Sequence, residues 1–501
     1  MNRVIAPGQP RWHHFLDTQI KTCPDALALT DNGGASWDFA ALGNACEAVQ
    51  GALISAGVVA GDRVMIIAEN CAAAVGALFA CSRMGAVGVP TNARQTSAEI
   101  TRILTHARPA AVLFTNAISQ DAAAHGARLN AREITGPFGR LLLATPYGSN
   151  PDPERDVAVL LYTTGTTGTP KGVMLTHGNL VFGGRSSVAI RGMTSDDVIY
   201  GVLPLTHVFG LSSIVTAAMC AGAHIRFEAR FSAERLYHAL GDGVTLLSAV
   251  PQIHALLMQY TREQGVENLK ESALRYVSSG AAPLDPEWKR KAEAFYGVAL
   301  QNGYGMTETT AGICVTQSAL GDPDISVGPP LKGVEVMIDQ PDRDGVGEVL
   351  TRGPNVMKGY YRNPGETKKL FDPDGWMRTG DLGQIDERGF LHIRGRLKEL
   401  IIHGGFNVFP PEVEAALNAH PQVVQSAVIG RMVAGDEQVL AFVQVAEGDR
   451  PDPAELRRFV AGQLAGYKRP AQIIMANELP AAPTGKILRH RLLKVFRDQL
   501  Q

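Results

Sequence analysis

With 501 residues, 45% of them hydrophobic and 19% charged, the chain carries apolar material for roughly two to four packed domains. Its formal net charge of -2 excludes a global basic field for nucleic acid and an acidic interaction tail.

The opening MNRVIAPGQPRWHH lacks the apolar core of a signal peptide. Six cysteines, Cys23, Cys46, Cys71, Cys81, Cys220 and Cys314, are scattered without CxxC pairs, as expected of reduced thiols in a cytoplasmic protein. The strand DRVMIIA (62–68) is followed by an Ala-rich helix near 71–84, the run AVGVP, a polar helix at 97–107 and the strand AAVLF (110–114). The greasy tracts 71–81 and 208–223 read as buried helices: the first is too short to span a bilayer, and Gly210, Ser212 and Ser213 break the second.

Strand and helix go on alternating: HIRFEA with a helix near 232–240, VTLLSAV with one near 251–260, and LRYVSSG with one near 286–297. This predicts an α/β fold, with two subdomains built on mainly parallel sheets. After about residue 325 short strands between Gly, Pro and Asp turns predict a small β-rich, barrel-like subdomain. From Glu399 a helix from Pro411, strands near 423–430 and 437–445, and a helix near 453–465 predict a small α+β domain. The expected division is therefore 1–395, a hinge at 396–398, and 399–501.

LLYTTGTTGTPKG (160–172) interrupts this pattern: a buried strand from Val157 runs into threonines, glycines and a lysine. Read as a loop between a strand and a helix, it offers backbone N–H groups and hydroxyls to anionic oxygens, with Lys171 as a point charge for phosphate. It is not a Walker loop, because Pro170 precedes the lysine and Gly172 stands where a magnesium-binding hydroxyl belongs.

YTTGTTGTPKGVMLTH (162–177) resembles the signature of the adenylate-forming superfamily, which includes acyl-CoA synthetases, stand-alone adenylation domains and beetle luciferases. LPLTHVFG (203–210), SSGAAPL (278–284), NGYGMTETT (302–310), RTGDLG (378–383), GRLKELI (395–401), GGFNVFPPEVE (404–414) and PTGKILR (483–489) follow in that family's order. The resemblance covers nearly the whole chain. It implies ATP and Mg2+ as cosubstrates: a carboxylate attacks the α-phosphate of ATP, and a thiol, usually that of coenzyme A, then displaces AMP.

Carried over residue by residue, it implies a phosphate loop of Thr163, Thr164, Gly165, Thr166, Thr167, Gly168 and Lys171. Thr307 would contact the α-phosphate, and Glu308 would hold Mg2+ with help from Thr167. Asp381, read in a Gly-flanked turn just before a strand, would accept the ribose hydroxyls, with Arg396 as the nearby cation. Gly280, Ala281 and Ala282 would form a flat wall for adenine, with Gly305 and the Tyr304 ring close by. Lys486 would bridge the substrate carboxylate and the α-phosphate. Lys398 matches the hinge about which the small domain turns between half-reactions, bringing Gly404, Gly405 and Phe406 to coenzyme A; a plain tight turn is the alternative for these glycines.

The acyl pocket implied by the resemblance takes in His207, Val208, Phe209, Ser213, Gly303, Met306 and Ile313. His207 is read equally well as a gate at the carboxylate end and as a core histidine. From Pro204 to Thr216 there is no Asp or Glu to pair with an ammonium, which disfavours an α-amino acid. A second carboxylate finds no Arg or Lys in these segments. Apolar monocarboxylates, fatty or aryl, remain. The expected enzyme is an acid–CoA ligase, a monomer or homodimer acting on small molecules without nucleic acid or a transmembrane segment. Transfer to a carrier-protein phosphopantetheine, a non-catalytic nucleotide-binding homologue and luciferase-like oxygenation are the alternatives.

Overall fold

The computed structural model describes residues 10–152, 155–164, 170–280, 284–433, 435–445, 450–481 and 487–500. Arg63–Ala68 is buried at every position and forms the middle of a seven-stranded sheet. It pairs in parallel with Val87–Asn92 and Ala111–Phe114, and Val157–Thr164 continues the parallel run. Strands buried on both faces read as unbroken apolar runs, which is why this segment shows no alternation.

The eight-stranded sheet is parallel from Leu300–Tyr304 through Tyr276–Gly280, Leu246–Ala249, Val198–Gly201 and His224–Phe227 to Leu27–Thr30, with antiparallel strands at both edges. One core cluster joins Val64 and Ile66 of the first sheet, Ile199 and Ile225 of the second, and the helices between. Helix Ala72–Met84 lies in that cluster, buried over most of its surface, and is apolar on nearly every side for that reason. It stops at Gly85, whose φ of 71° closes the last turn. Asp38 starts the neighbouring helix Phe39–Ser55 by accepting from the Ala41 N–H at 2.6 Å.

Arg63 is the charged exception in its strand. Fully buried, its guanidinium donates to the carbonyls of Ala107 (3.0 Å), Arg108 (3.0 Å), Gly61 (3.2 Å) and Asn150 (2.5 Å). Five donors in a rigid fork can tie four loop carbonyls where a lysine could not.

Glu335–Asp339, Gly347–Arg352, Met377–Ile385 and Leu391–Arg396 form a four-stranded antiparallel sheet, open among the described residues. Beyond it, Val423–Val433, Asp436–Val445 and Gln472–Ala476 make a three-stranded sheet packed against helices Pro410–Asn418 and Pro453–Ala461.

Three local expectations are corrected. Val157–Thr164 outruns its apolar stretch because it pairs antiparallel with Pro170–Thr176; helix His177–Arg191 starts only after that second strand. The Thr/Gly segment therefore joins two strands and does not lead into a helix. Asp381 lies inside strand Met377–Ile385, paired with Arg396; Gly383 continues the ladder, while Gly380, at φ 73°, sits where the register with Gly347–Arg352 shifts. The last predicted helix ends at Ala461, short of 465. The tract from 208 is helical but has a π-helical middle, Leu211–Thr216, between Val208–Gly210 and Ala217–Ala221.

All six cysteines are free, and burial pushes the thiols of Cys46, Cys71 and Cys81 up to about 12. Histidines behave conversely. Burial lowers His13, His224 and His254 from 6.5 to about 4 and His177 to about 3. The folded chain holds them neutral, so below pH 6.5 the unfolded chain takes up protons that the folded chain refuses. Stability should be full above pH 6.5 and should fall as the pH drops toward 4. Thermal midpoints between pH 6.5 and 5, above most carboxylate titration, check this; a flat profile there contradicts it.

Candidate active site

The backbone of 357–361 runs beside the second strand of the Thr/Gly hairpin. Met174 and Gly359, Lys358 and Met174, and Tyr361 and Gly172 exchange N–H to carbonyl bonds of 2.7–3.0 Å. Tyr360 thereby bridges Val173 and stands next to Lys171. The Lys171 ammonium lies 5.0 Å from the centre of the Tyr360 ring and 2.6 Å from Glu366 Oε2. Two lysines, Lys171 first and then Lys369, hold the half-buried Glu366 carboxyl down at about 2. Glu366 sits in the short helix Pro364–Leu370, begun by the Asn363 side chain, which accepts from the Glu366 N–H at 3.2 Å.

Thr307–Thr309 form a 3-10 turn with Thr307 and Glu308 buried. Glu308 Oε1 accepts from the Tyr360 hydroxyl at 2.8 Å, and the Glu308 carbonyl accepts from the Met357 N–H at 2.8 Å. Gly305 enters this turn, and a Cβ there would lie 2.0 Å from the Ala311 carbonyl oxygen. Only glycine allows that approach.

Asp381 is 4% exposed. Its Oδ2 accepts from the Tyr304 hydroxyl at 2.6 Å, and its Oδ1 lies 3.2 Å from Arg396 Nε. Burial, then the adjoining carboxylate, pushes the Tyr304 hydroxyl far above its usual range, so it remains a donor. A carboxylate offers about four lone-pair directions, so Asp381 can accept from several donors at once. Tyr304 and Glu308 lie on one stretch of backbone, bringing both carboxylates to the end of strand Leu300–Tyr304.

Thr163 faces Lys171 across the hairpin, and Gly280 ends its strand. Phe209 packs its ring on Gly280, where a Cβ would sit 3.0 Å from Cε1. His207 caps the next helical turn, its Nδ1 accepting from the Phe209 N–H at 3.3 Å. Val208 and Ile313 are core residues, and Ile313 packs with Leu331, Val349 and Leu391. Ser213 is buried in the π-helical turn, with its carbonyl held by Arg191. Gly303 faces Val315, and Met306 is half-buried.

Lys398 is exposed in the 3-10 turn Leu397–Glu399. Gly404 and Gly405, at φ 57° and 79°, make the two-residue turn of hairpin Ile401–His403 and Phe406–Val408, a conformation that selects glycine. Phe406 stacks on Tyr467 at 4.5 Å. Gly165, Thr166, Thr167, Gly168, Ala281, Ala282 and Lys486 lie outside the described residues. On either side of Lys486, Ala481 bridges Ile487 and the Leu488 N–H donates to the Pro480 carbonyl at 2.7 Å.

Among the described residues no group of three or more His, Cys, Asp or Glu side chains could hold a metal ion. Mg2+ needs no such cage, being commonly held by one or two carboxylates plus phosphate oxygens. Glu308 fits that use: its Oε2 makes no hydrogen bond among the described residues.

Tyr360 and Glu366 escaped the sequence reading. The Asn-Pro helix start at 363–364 was legible, but no spacing rule connects it to a lysine nearly two hundred residues upstream.

Parallel-rich sheets, a small antiparallel sheet and a small C-terminal α+β part, with paired acidic and cationic groups at a strand end, are the features of an α/β nucleotide-binding class. The chain belongs to the AMP-binding enzyme family: residues 16–361 match that family, and residues 412–486 match the AMP-binding enzyme C-terminal domain. It is 34% identical to sulfoacetate–CoA ligase of Cupriavidus necator (93% of this chain, 94% of the relative). It is 33% identical to feruloyl-CoA synthase of an Amycolatopsis species (95% and 97%). The crystal structure of ATP-bound MatB from Rhodopseudomonas palustris superposes with a TM-score of 0.84 at 33% identity, covering 98% of this chain and all of that one.

Replacing Gly305 by alanine should displace the Thr307–Thr309 turn and cost about 2 kcal/mol. Thermal melts should show a lowered midpoint and loss of the rise that ATP gives the wild type.

Proposed function

We propose that this protein is an ATP-dependent acid–CoA ligase that activates an apolar monocarboxylic acid, aryl or fatty. It forms an acyl-adenylate and pyrophosphate, then passes the acyl group to coenzyme A with release of AMP. Its substrates are ATP with Mg2+, a small carboxylic acid and coenzyme A. The observation that carries the reading is the joint placement of Lys171, Glu308, Tyr304, Asp381 and Arg396 around one strand end.

Each group has a chemical task. Two anions must meet before the acid can attack phosphorus, so their repulsion has to be offset by preorganised charge. Lys171 and Thr163 to Lys171 address the phosphates, and Thr307 the α-phosphate. Glu308 holds the divalent cation, which shields the triphosphate. Asp381 accepts the ribose hydroxyls beside Arg396. Lys486 brings an ammonium to the acid oxygen and the α-phosphate. Residues 1–395 and 399–501 act as two bodies joined at 396–398. Rotation at Lys398 withdraws Lys486 and presents the turn at 404–405 to coenzyme A.

The apolar substrate class is supported by the lining candidates Phe209 and Met306, and by the Phe209 ring packed against Gly280. Arg191, the cation behind this wall, is engaged by the Ser213 carbonyl and the Tyr276 ring. Likeness to sulfoacetate–CoA ligase favours a second reading, a short acid with a distal anion.

A panel of ferulate, benzoate, octanoate and sulfoacetate, with ATP, Mg2+ and coenzyme A, decides by AMP release and product mass. Aryl or fatty acids should exceed sulfoacetate at least tenfold in kcat/KM; the reverse order overturns the apolar pocket. Lys486→Ala should lower acid-dependent pyrophosphate release at least a hundredfold while sparing thioester formation from supplied acyl-adenylate. Equal loss in both assays contradicts its assignment.

A further inference from the structure

We propose that Tyr360 is a positioning residue that fixes Glu308 and Lys171 as one array, setting the geometry in which the metal–nucleotide is received. This rests on the reading of Glu308 and Lys171 as metal- and phosphate-binding groups.

Tyr360 touches both. Its hydroxyl donates to Glu308 Oε1 at 2.8 Å, and its ring face lies 5.0 Å from the Lys171 ammonium. The side chain has little freedom: it is 7% exposed, its residue bridges Val173, and its N–H donates to Thr367 Oγ1 at 2.9 Å. Glu308 is nearly as buried, at 8%. A buried carboxylate with one oxygen held by a hydroxyl presents the other in a set direction, and partners of this kind tune metal affinity through the ligand they orient.

The cationic end is held from two sides. Lys171 rests on the ring while Glu366 Oε2 draws its ammonium from 2.6 Å. A tyrosine used only for packing would need neither its hydroxyl on a buried carboxylate nor its face under a cation.

Tyr360→Phe removes the hydroxyl and keeps the ring. The test measures Mn2+ binding to the complex of intact enzyme with a non-hydrolysable ATP analogue, by water-proton relaxation. The metal-free affinity for the analogue should stay as in wild type, while Mn2+ should bind about tenfold more weakly; the thermal midpoint should fall, because the buried Glu308 loses its donor. In the Glu308→Gln background, Tyr360→Phe should add no further loss, because its effect passes through Glu308. Wild-type Mn2+ affinity in Tyr360→Phe, beside a weakened Glu308→Gln, overturns the role of Tyr360 and leaves the metal assignment standing. Wild-type affinity in Glu308→Gln overturns both. Additive losses in the double variant also overturn the proposal, by showing that Tyr360 acts elsewhere.

Discussion

Two carboxylates, Glu308 and Asp381, are buried beside the end of strand Leu300–Tyr304, and a buried charge is costly unless hydrogen-bonded or paired. The fold meets that demand with two tyrosines. Tyr304 donates to Asp381 and Tyr360 to Glu308, and each hydroxyl is pushed up by its surroundings and so keeps its proton. The cations Arg396 and Lys171 stand on the far sides, each in contact with one member of a pair.

This arrangement explains why distant segments converge. Strand Leu300–Tyr304 is the last parallel strand of its sheet, and its end leads through Gly305 into the turn bearing Glu308. The antiparallel sheet supplies Asp381 and Arg396 in direct register, so their pairing follows from ladder geometry. The 357–361 segment lies along the Thr/Gly hairpin and delivers Tyr360. Ligands of open α/β sheets gather beyond the carboxyl ends of strands, and these residues gather in that region.

The hairpin changes the physical account of the Thr/Gly segment. A loop entering a helix would offer the helix dipole to phosphate; a loop joining two antiparallel strands offers N–H groups, hydroxyls and Lys171 without it. In the C-terminal part, the exposed Phe406 belongs to a hairpin whose Gly-Gly turn needs glycine for its backbone alone. Arg489, three residues beyond Lys486, joins Glu414 of helix Pro410–Asn418 to Glu399 of the turn after Arg396, tying the end of the PTGKILR segment to the strip beside the hinge candidate.

The sequence by itself determined the α/β alternation, the β-rich stretch after residue 325, the small C-terminal unit and the family. These are written in local periodicity, turn residues and short motifs that need no distant partner. Single candidates such as Glu308 and Asp381 could be named because the motifs that carry them are short and contiguous. Their partners were not. The meeting of Tyr360 with Lys171 and Glu308, the second strand of the Thr/Gly hairpin, and the inclusion of Asp381 in a ladder are long-range pairings, decided only when the sheets assemble. Tertiary structure also gave His207 a cap to make and Ile313 a core to fill, since burial depends on which surfaces meet and not on what either residue is.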